Sequence, residues 1–430
     1  MDFDKPQQNT VATAEAADTS TRLPAVFRSL RHRDFALFWS GNFLSNIGTW
    51  MQNLALGWLI VIMSGSPFLL GLNGFLASAP SLVFSLPGGA IADRLNRKKL
   101  MRYSQSAMAF LALMLAVLTS VHVVTIGEIL LISLLMGTAT ALNNPAYQAL
   151  VPDLVEREDL MNAIALNSAQ FNMSRAVGPT LAGLALGSMG AAACFYLNAA
   201  SFLPLIIALM IITVPVNHRE DRPSVWGAML EGLQFVKENR LLIILFTVPS
   251  FLSLLGLPFV TLMPAYAKDV LHVGASGLGY LMAGAGIGAV IAALSLAARG
   301  DLEHKGRFIF ASSALFSVAL IFVAYAHTFW GAFFWLVIVG GAMVGALTLT
   351  NTTLQLASPP ELRGRIMSIY NLTVLGFAPL GNLQAGAVAE ALGIRFALAL
   401  GGAICLVYFV ILLLVLPRLR RVAKLPQPTG

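Results

Sequence analysis

The sequence predicts an all-α integral membrane protein, with twelve transmembrane helices in two six-helix bundles related by a pseudo-twofold axis. Composition, the spacing of apolar runs and an internal repeat carry that prediction. Of 430 residues, 57% are apolar and 11% charged, against about 25% charged in a soluble domain. A bilayer accommodates such a chain in spans of about 20 residues each.

Apolar runs bounded by charged or Gly/Pro-rich breaks fall at about 34–63, 68–92, 100–121, 125–147, 162–188, 191–214, 241–266, 276–298, 306–326, 329–351, 366–391 and 394–416. All but three of the 27 lysines and arginines lie in the terminal stretches or in connections from an even to an odd span. Lys268 and Arg395 fall on the other side, and Arg175 lies within a span. Basic residues mark the cytoplasmic side, so both termini are expected there.

The chain then divides into a tail (1–33), a first bundle (34–214), a linker (215–240), a second bundle (241–417) and a closing tail (418–430). The first tail is polar, holds Lys5, Arg22, Arg28, Arg31 and Arg33, and has no apolar core of the kind a cleaved signal needs. In the linker, Trp226, Met229, Leu230, Leu233, Phe235 and Val236 alternate with Glu231, Lys237 and Glu238, which predicts an amphipathic helix on the inner membrane surface.

The halves repeat. Asn144, Gln148 and Pro152 recur as Asn351, Gln355 and Pro359 at an offset of 207. Gly71, Asp93, Arg97 and Lys99 recur as Gly279, Asp301, Lys305 and Arg307 at an offset of 208. Transporters commonly arise from such repeats, with the substrate site between them.

Composition and motifs exclude several classes. The basic residues are scattered over short connections and form no nucleic-acid patch. Cys194 and Cys405 sit in apolar runs, so neither a disulfide framework nor a CxxC metal pattern is available, and no metal or other cofactor is expected. A Walker A pattern is missing, so ATP is not the expected direct driver.

Gly89 to Lys99, GAIADRLNRKK, resembles the motif between the second and third helices of the major facilitator superfamily, with Asn96 where the family has glycine. Arg175 to Gly183, RAVGPTLAG, is similar to the Gly-Pro motif of that superfamily's exporters. Asn144 to Val155, NPAYQALVPDLV, resembles the branch containing enterobactin exporters and macrolide-efflux-type proteins. The resemblance runs from about Phe27 to Pro417. It implies alternating access in a bacterial inner (plasma) membrane, export of a siderophore or amphipathic drug-like molecule, proton antiport and a monomer among membrane lipids. It also implies a cytoplasmic gating latch formed by Gly89, Asp93, Arg94, Arg97 and Lys98. Import, lipid flipping and a non-transporting sensor are the competing readings; no catalytic constellation points to an enzyme.

The residues add candidates of their own. Asp93 can pair with Arg97 or with the opposite half, or the basic residues of this loop can simply anchor it to anionic lipid. Gly178 and Pro179 permit a bend in the fifth span, and Gly183 permits close packing. Arg175 carries a charge at bilayer depth, costing at least about 2.5 kcal/mol unless paired or hydrated; it serves the cavity or a gate, or it snorkels to the cytoplasmic end or is held by Asn172 one turn earlier. Asn42, Asn46, Thr49 and Asn53 share one face of the first span. With Asn167, Gln170, Asn351 and Asn371 they line a cavity or bond to neighbouring helices. Acidic residues fall near span ends (Asp34, Glu128, Glu390), so proton coupling has no local support at mid-membrane.

Overall fold

The computed structural model describes residues 25–94, 96–213, 225–299, 302 and 304–415. Twelve helices long enough to cross a bilayer follow in order: α1 (Arg33–Ser64), α2 (Pro67–Arg94), α3 (Arg97–Ser120), α4 (Ile126–Leu150), α5 (Leu160–Met189), α6 (Ala191–Ile211), α7 (Arg240–Val270), α8 (Ala275–Arg299), α9 (Lys305–Tyr325), α10 (Phe329–Ala357), α11 (Arg363–Leu392) and α12 (Ile394–Val415). A 3-10 strap, Ala25–Arg31, precedes α1, and a linker helix, Val225–Glu238, precedes α7. Eleven of the twelve are apolar enough to read as membrane spans by composition alone. The exception is α5, whose Asn162, Asn167, Gln170, Asn172 and Arg175 make it too polar for a helix facing lipid.

Local chemistry sets the boundaries. Thr125 and Glu128 form a reciprocal capping box at the start of α4, and Asn239 and Thr328 cap α7 and α10. The α10 helix runs six residues past the expected 351, because Thr350 and Thr353 turn their hydroxyls onto carbonyls four residues back and Pro359 and Pro360 lie just beyond its end. In α7, Pro249, Pro258 and Pro264 remove backbone donors and two π turns, Leu252–Gly256 and Tyr266–Val270, absorb the irregularity.

The two sets of six helices pack alike. In the first, α1 lies on α5 and α6, α2 on α4, and α3 on α4 and α6. In the second, α7 lies on α11 and α12, α8 on α10, and α9 on α10 and α12. Sharp turns correspond as well. Gly190 (φ 82°) joins α5 to α6 and Gly393 (φ 91°) joins α11 to α12, at an offset of 203, in a backbone region that only glycine enters without strain. As expected for outer helices, α9 and α12 present Phe308, Leu315, Phe322, Val407, Ile411 and Leu414 outward.

Buried polar pairs fix the helices of the first half. Asn198 of α6 donates to Gln52 of α1 at 2.7 Å, and Ser133 of α4 donates to Asn73 of α2 at 2.6 Å. In a medium without water such groups need protein partners. The linker helix docks on α11, with Gly232 against Ile369 and Arg365 and an ion pair between Glu231 and Arg365. Val236 is buried while Leu230 stays exposed; the side chains of Trp226 and Met229 lie outside the described residues.

Candidate functional site

The α2–α3, α4–α5, α8–α9 and α10–α11 connections, with most of the basic residues, define one end of the molecule, here the basic end. The other is the far end. The halves meet chiefly through two helix pairs, α2 with α11 and α5 with α8.

Those pairs are equivalent under the repeat. A Cβ on Gly183 (α5) would lie 2.5 Å from the Gly279 Cα (α8), and a Cβ on Gly386 (α11) would lie 2.7 Å from the Gly71 Cα (α2). Gly71 and Gly279 are 208 apart and Gly183 and Gly386 are 203 apart. The likeness extends to neighbours: the Pro179 carbonyl abuts Gly279 as the Asn382 carbonyl abuts Gly71. Only residues without side chains let two backbones come this close. Both crossings lie in the far-end part of their helices.

Two charges from the second half add to the closure there. Glu390 at the end of α11 accepts from the Ser66 hydroxyl at 2.8 Å and from the Phe68 amide at 3.1 Å, at the start of α2. Lys268 of α7 donates to the Val61 carbonyl at 3.1 Å, in the last turn of α1. An anion therefore sits at a helix N-terminus and a cation at a helix C-terminus, as the macrodipole favours, and both act on one hairpin.

Toward the basic end the same faces are uncovered. On α5 the line Gly187, Gly183, Pro179 and Ala176 faces α8; one and two turns further, Asn172 and Ser168 are exposed. On α11 the line Gly386, Asn382 and Ala378 continues into Leu375 and Asn371, also exposed. Arg175 stands where contact gives way to open space. It is about 22 Å into α5 at 1.5 Å per residue. Its guanidinium reaches across to the second half, with Nη2 3.8 Å from the Met343 sulfur of α10, a weak acceptor. The Arg175 hydrogen bond goes to that sulfur and not to Asn172, whose amide nitrogen donates to the Ser168 carbonyl of its own helix at 2.8 Å.

The polar stripe of α1 splits. Asn42 is buried and donates to fully buried Gln170 of α5 at 3.3 Å, so these two join helices within the first half and do not face open space. Thr49 bonds back to the Ser45 carbonyl. Asn46 is half-buried and Asn53 exposed, on the face where Gly57 meets Pro264 of α7. The Asn167 side-chain oxygen and the Gln170 side-chain nitrogen are buried without a partner. Asn351 is half-buried and accepts from exposed Gln355 at 2.6 Å. Gly178 is pressed against Trp50 and the Ile47 carbonyl of α1, so it packs inside its own half.

At the basic end, the Asp93 and Arg94 side chains lie outside the described residues, as does the environment of Gly89. Arg97 pairs with Asp153 at 2.8 Å and reaches the Ala149 carbonyl, bracing α3 against the end of α4. Lys98 donates to the Ile212 carbonyl at 2.5 Å, just past the end of α6, so it ties α3 to α6 within one half. Asn96, in the glycine position of the motif, caps α3 by accepting from the Lys99 amide at 3.1 Å. The 3-10 strap lies on the start of α5: Arg28 pairs with Asp159, His32 contacts the same carboxylate at 2.8 Å, and Ser29 bonds to Asn162. These hydrogen bonds, that of His32 foremost and then that of Arg28, hold the Asp159 carboxyl below the usual carboxylate range.

Sequence reasoning missed Gly386, Met343 and the Gln52–Asn198 pair, and read Lys268 only as a basic residue on the far side. Gly386 had a readable signal, since it stands to Gly183 as Gly393 stands to Gly190. Glu390 was seen only as an acid near a helix end.

Two bundles joined at pseudo-equivalent glycine crossings and parted at one end define a transporter of the major facilitator fold. The chain belongs to the transmembrane secretion effector family of that superfamily, whose profile matches residues 25–428. Over 358 residues it is 26% identical to a staphyloferrin A transporter of Staphylococcus aureus, covering 83% of this chain and 90% of the relative. It is 29% identical over 413 residues to the enterobactin exporter EntS of Shigella boydii, covering 92% and 94%. It is 24% identical over 391 residues to the multidrug efflux pump Tap of Mycolicibacterium fortuitum, covering 89% and 95%. Among solved structures, the nucleoside transporter NupG shares the fold with a TM-score of 0.67 at 16% identity, covering 90% of this chain and 98% of that one. A bacterial homolog of the human lysosomal transporter Spinster, in an inward-facing and unoccupied conformation, also gives 0.67 at 16%, covering 93% and 98%. Fold and relatives are those of transporters, not of enzymes.

Proposed function

We propose that the protein exports a small molecule of siderophore or amphipathic drug type by alternating access. The basic end and both termini face the cytoplasm of a bacterial inner membrane. On this reading the present conformation is open to the cytoplasm and closed at the far end, and the halves rock about the Gly71–Gly386 and Gly183–Gly279 crossings. Arg175, Asn46, Asn53 and Asn371 face the path. Export, proton antiport and the monomeric state come from the family resemblance and the relatives' names, and the positive-inside pattern supports the orientation.

One observation carries the reading: the same faces of α5 and α11 that are packed at the far end are bare toward the basic end. A rigid tilt of one half on the other would exchange which end is covered.

The test is a cysteine at exposed Asn371, read with membrane-impermeant maleimide in oriented vesicles; native Cys194 and Cys405 are buried. Labelling from the cytoplasmic side alone when the far end is locked, and from both sides when it is free, is expected. Efflux counterflow with an imposed pH gradient is expected in wild type and largely lost in Arg175→Ala, with folded protein retained. A reporter reachable from one side under every condition would refute alternating access.

A further inference from the structure

Arg175 is a permanent cation at mid-depth, and the equivalent place in the second half carries no charge. Its counterpart in the second half, at the offset of 203 that relates Gly183 to Gly386, is Ala378. The α2–α11 crossing is built with that alanine as closely as the α5–α8 crossing is built with the arginine.

No carboxylate answers it among the described residues. The acids of the spans lie at helix ends, and each is engaged there: Asp34 with the Thr213 amide, Glu128 in its capping box, Asp269 beside Lys268, and Glu390 on α2. Asp93 belongs to the last turn of α2, at the basic end, about 20 Å in depth from Arg175 by helix rise. What Arg175 does touch is the Met343 thioether, which neutralises no charge. Toward the basic end on the same helix, Asn172 and Ser168 are exposed.

A guanidinium at low dielectric gains most from a planar oxyanion that accepts two parallel N–H bonds, and an ammonium or other cation would be repelled. We propose that Arg175 is the anion-recognising group of this cavity, so that the transported molecule carries a carboxylate or a comparable acidic oxygen pair and is not a lipophilic cation. The proposal rests on the reading of the inter-half space as the transport path.

The experiment uses full-length protein in nanodiscs, titrated with citrate as the anionic probe and tetraphenylphosphonium as the cationic one, with thermal unfolding as readout. Citrate is expected to raise the Tm of wild type with saturation. The apparent affinity should fall at least tenfold in Arg175→Gln, recover in part in Arg175→Lys, and give way to a tetraphenylphosphonium response in Arg175→Glu. Equal citrate stabilisation of wild type and Arg175→Gln would overturn the proposal, as would a wild type that answers tetraphenylphosphonium and not citrate. Should Arg175→Gln fail to fold, the wild-type contrast between the two probes still decides. The Asn371→Cys reporter separates the two claims. Labelling from both sides without a citrate response sinks the anion assignment alone, whereas labelling from one side only sinks the transport reading.

Discussion

Removing the charges that Glu390 and Lys268 bring to the α1–α2 hairpin should loosen the far end by a computable amount. Glu390 accepts two hydrogen bonds, at 2.8 and 3.1 Å, and Lys268 donates one at 3.1 Å. A hydrogen bond to a charged group is worth roughly 1.5–3 kcal/mol when shielded. Both groups here are solvent-accessible, so the exposed range applies, about 0.3–1 kcal/mol for each charge at a helix terminus. Glu390→Gln keeps an acceptor and loses the charge, which predicts a shift of about twofold to fivefold toward far-end opening. Glu390→Ala with Lys268→Ala removes both contacts. They have no partner atom in common and so should add, giving about 0.6–2 kcal/mol, or roughly 3–30-fold. Spin labels at Ile62 and Leu392, both exposed near the far end on opposite halves, would report the change as growth of a long-distance component in pulsed EPR. A double variant whose distance distribution differs from wild type by less than twofold would show that the glycine crossings hold this end without help from charge.

Gly183→Val should be more severe, because its Cβ would meet backbone at 2.5 Å; overpacking of this kind costs about 1–3 kcal/mol. It should open the α5–α8 crossing in the same EPR experiment, and an unchanged distribution would contradict the close approach. Gln52→Leu strands the buried Asn198 amide, which predicts a loss of about 1–3 kcal/mol in unfolding, while the double variant with Asn198→Leu should recover most of it. For Asp159, a carboxyl held below its usual range stabilises the docked strap above the ordinary carboxylate pKa of about 3.9, and that stabilisation disappears as pH falls through the lower folded value. Hydrogen exchange of Ala25–Arg31 should therefore be insensitive to this group from pH 7 to 5 and rise only in stronger acid. Asp159→Asn should show fast exchange at every pH.

The spans were legible because lipid imposes a composition that any reader of the sequence can see. Even α5, too polar to qualify by hydropathy, was placed to within two residues at its start by flanking charges and at its end by glycine. The offsets of 207 and 208 are equally plain, and they or the small-residue spacing of α5 mark Gly71, Gly279 and Gly183. What the sequence left open was which polar side chains bond to neighbouring helices and which face open space. Asn42, Asn46, Thr49 and Asn53 share a helical period, yet Asn42 is buried against Gln170 while Asn53 is exposed, because α1 touches α5 and α6 along one part of its length and α7 along another. Lys98, which the family resemblance places in a gating motif, donates to the Ile212 carbonyl just past α6 of its own half, a contact that no local pattern announces.

Sequence by itself determined how many times the chain crosses, which connections carry the basic charge and that the halves are repeats, since these follow from one-dimensional patterns of transfer free energy. Tertiary structure decided which small residues meet, which charges bridge the halves and which end is closed. Those depend on contacts between residues some 100 to 320 positions apart, as between Gly183 and Gly279 or Ser66 and Glu390, and no local period encodes them.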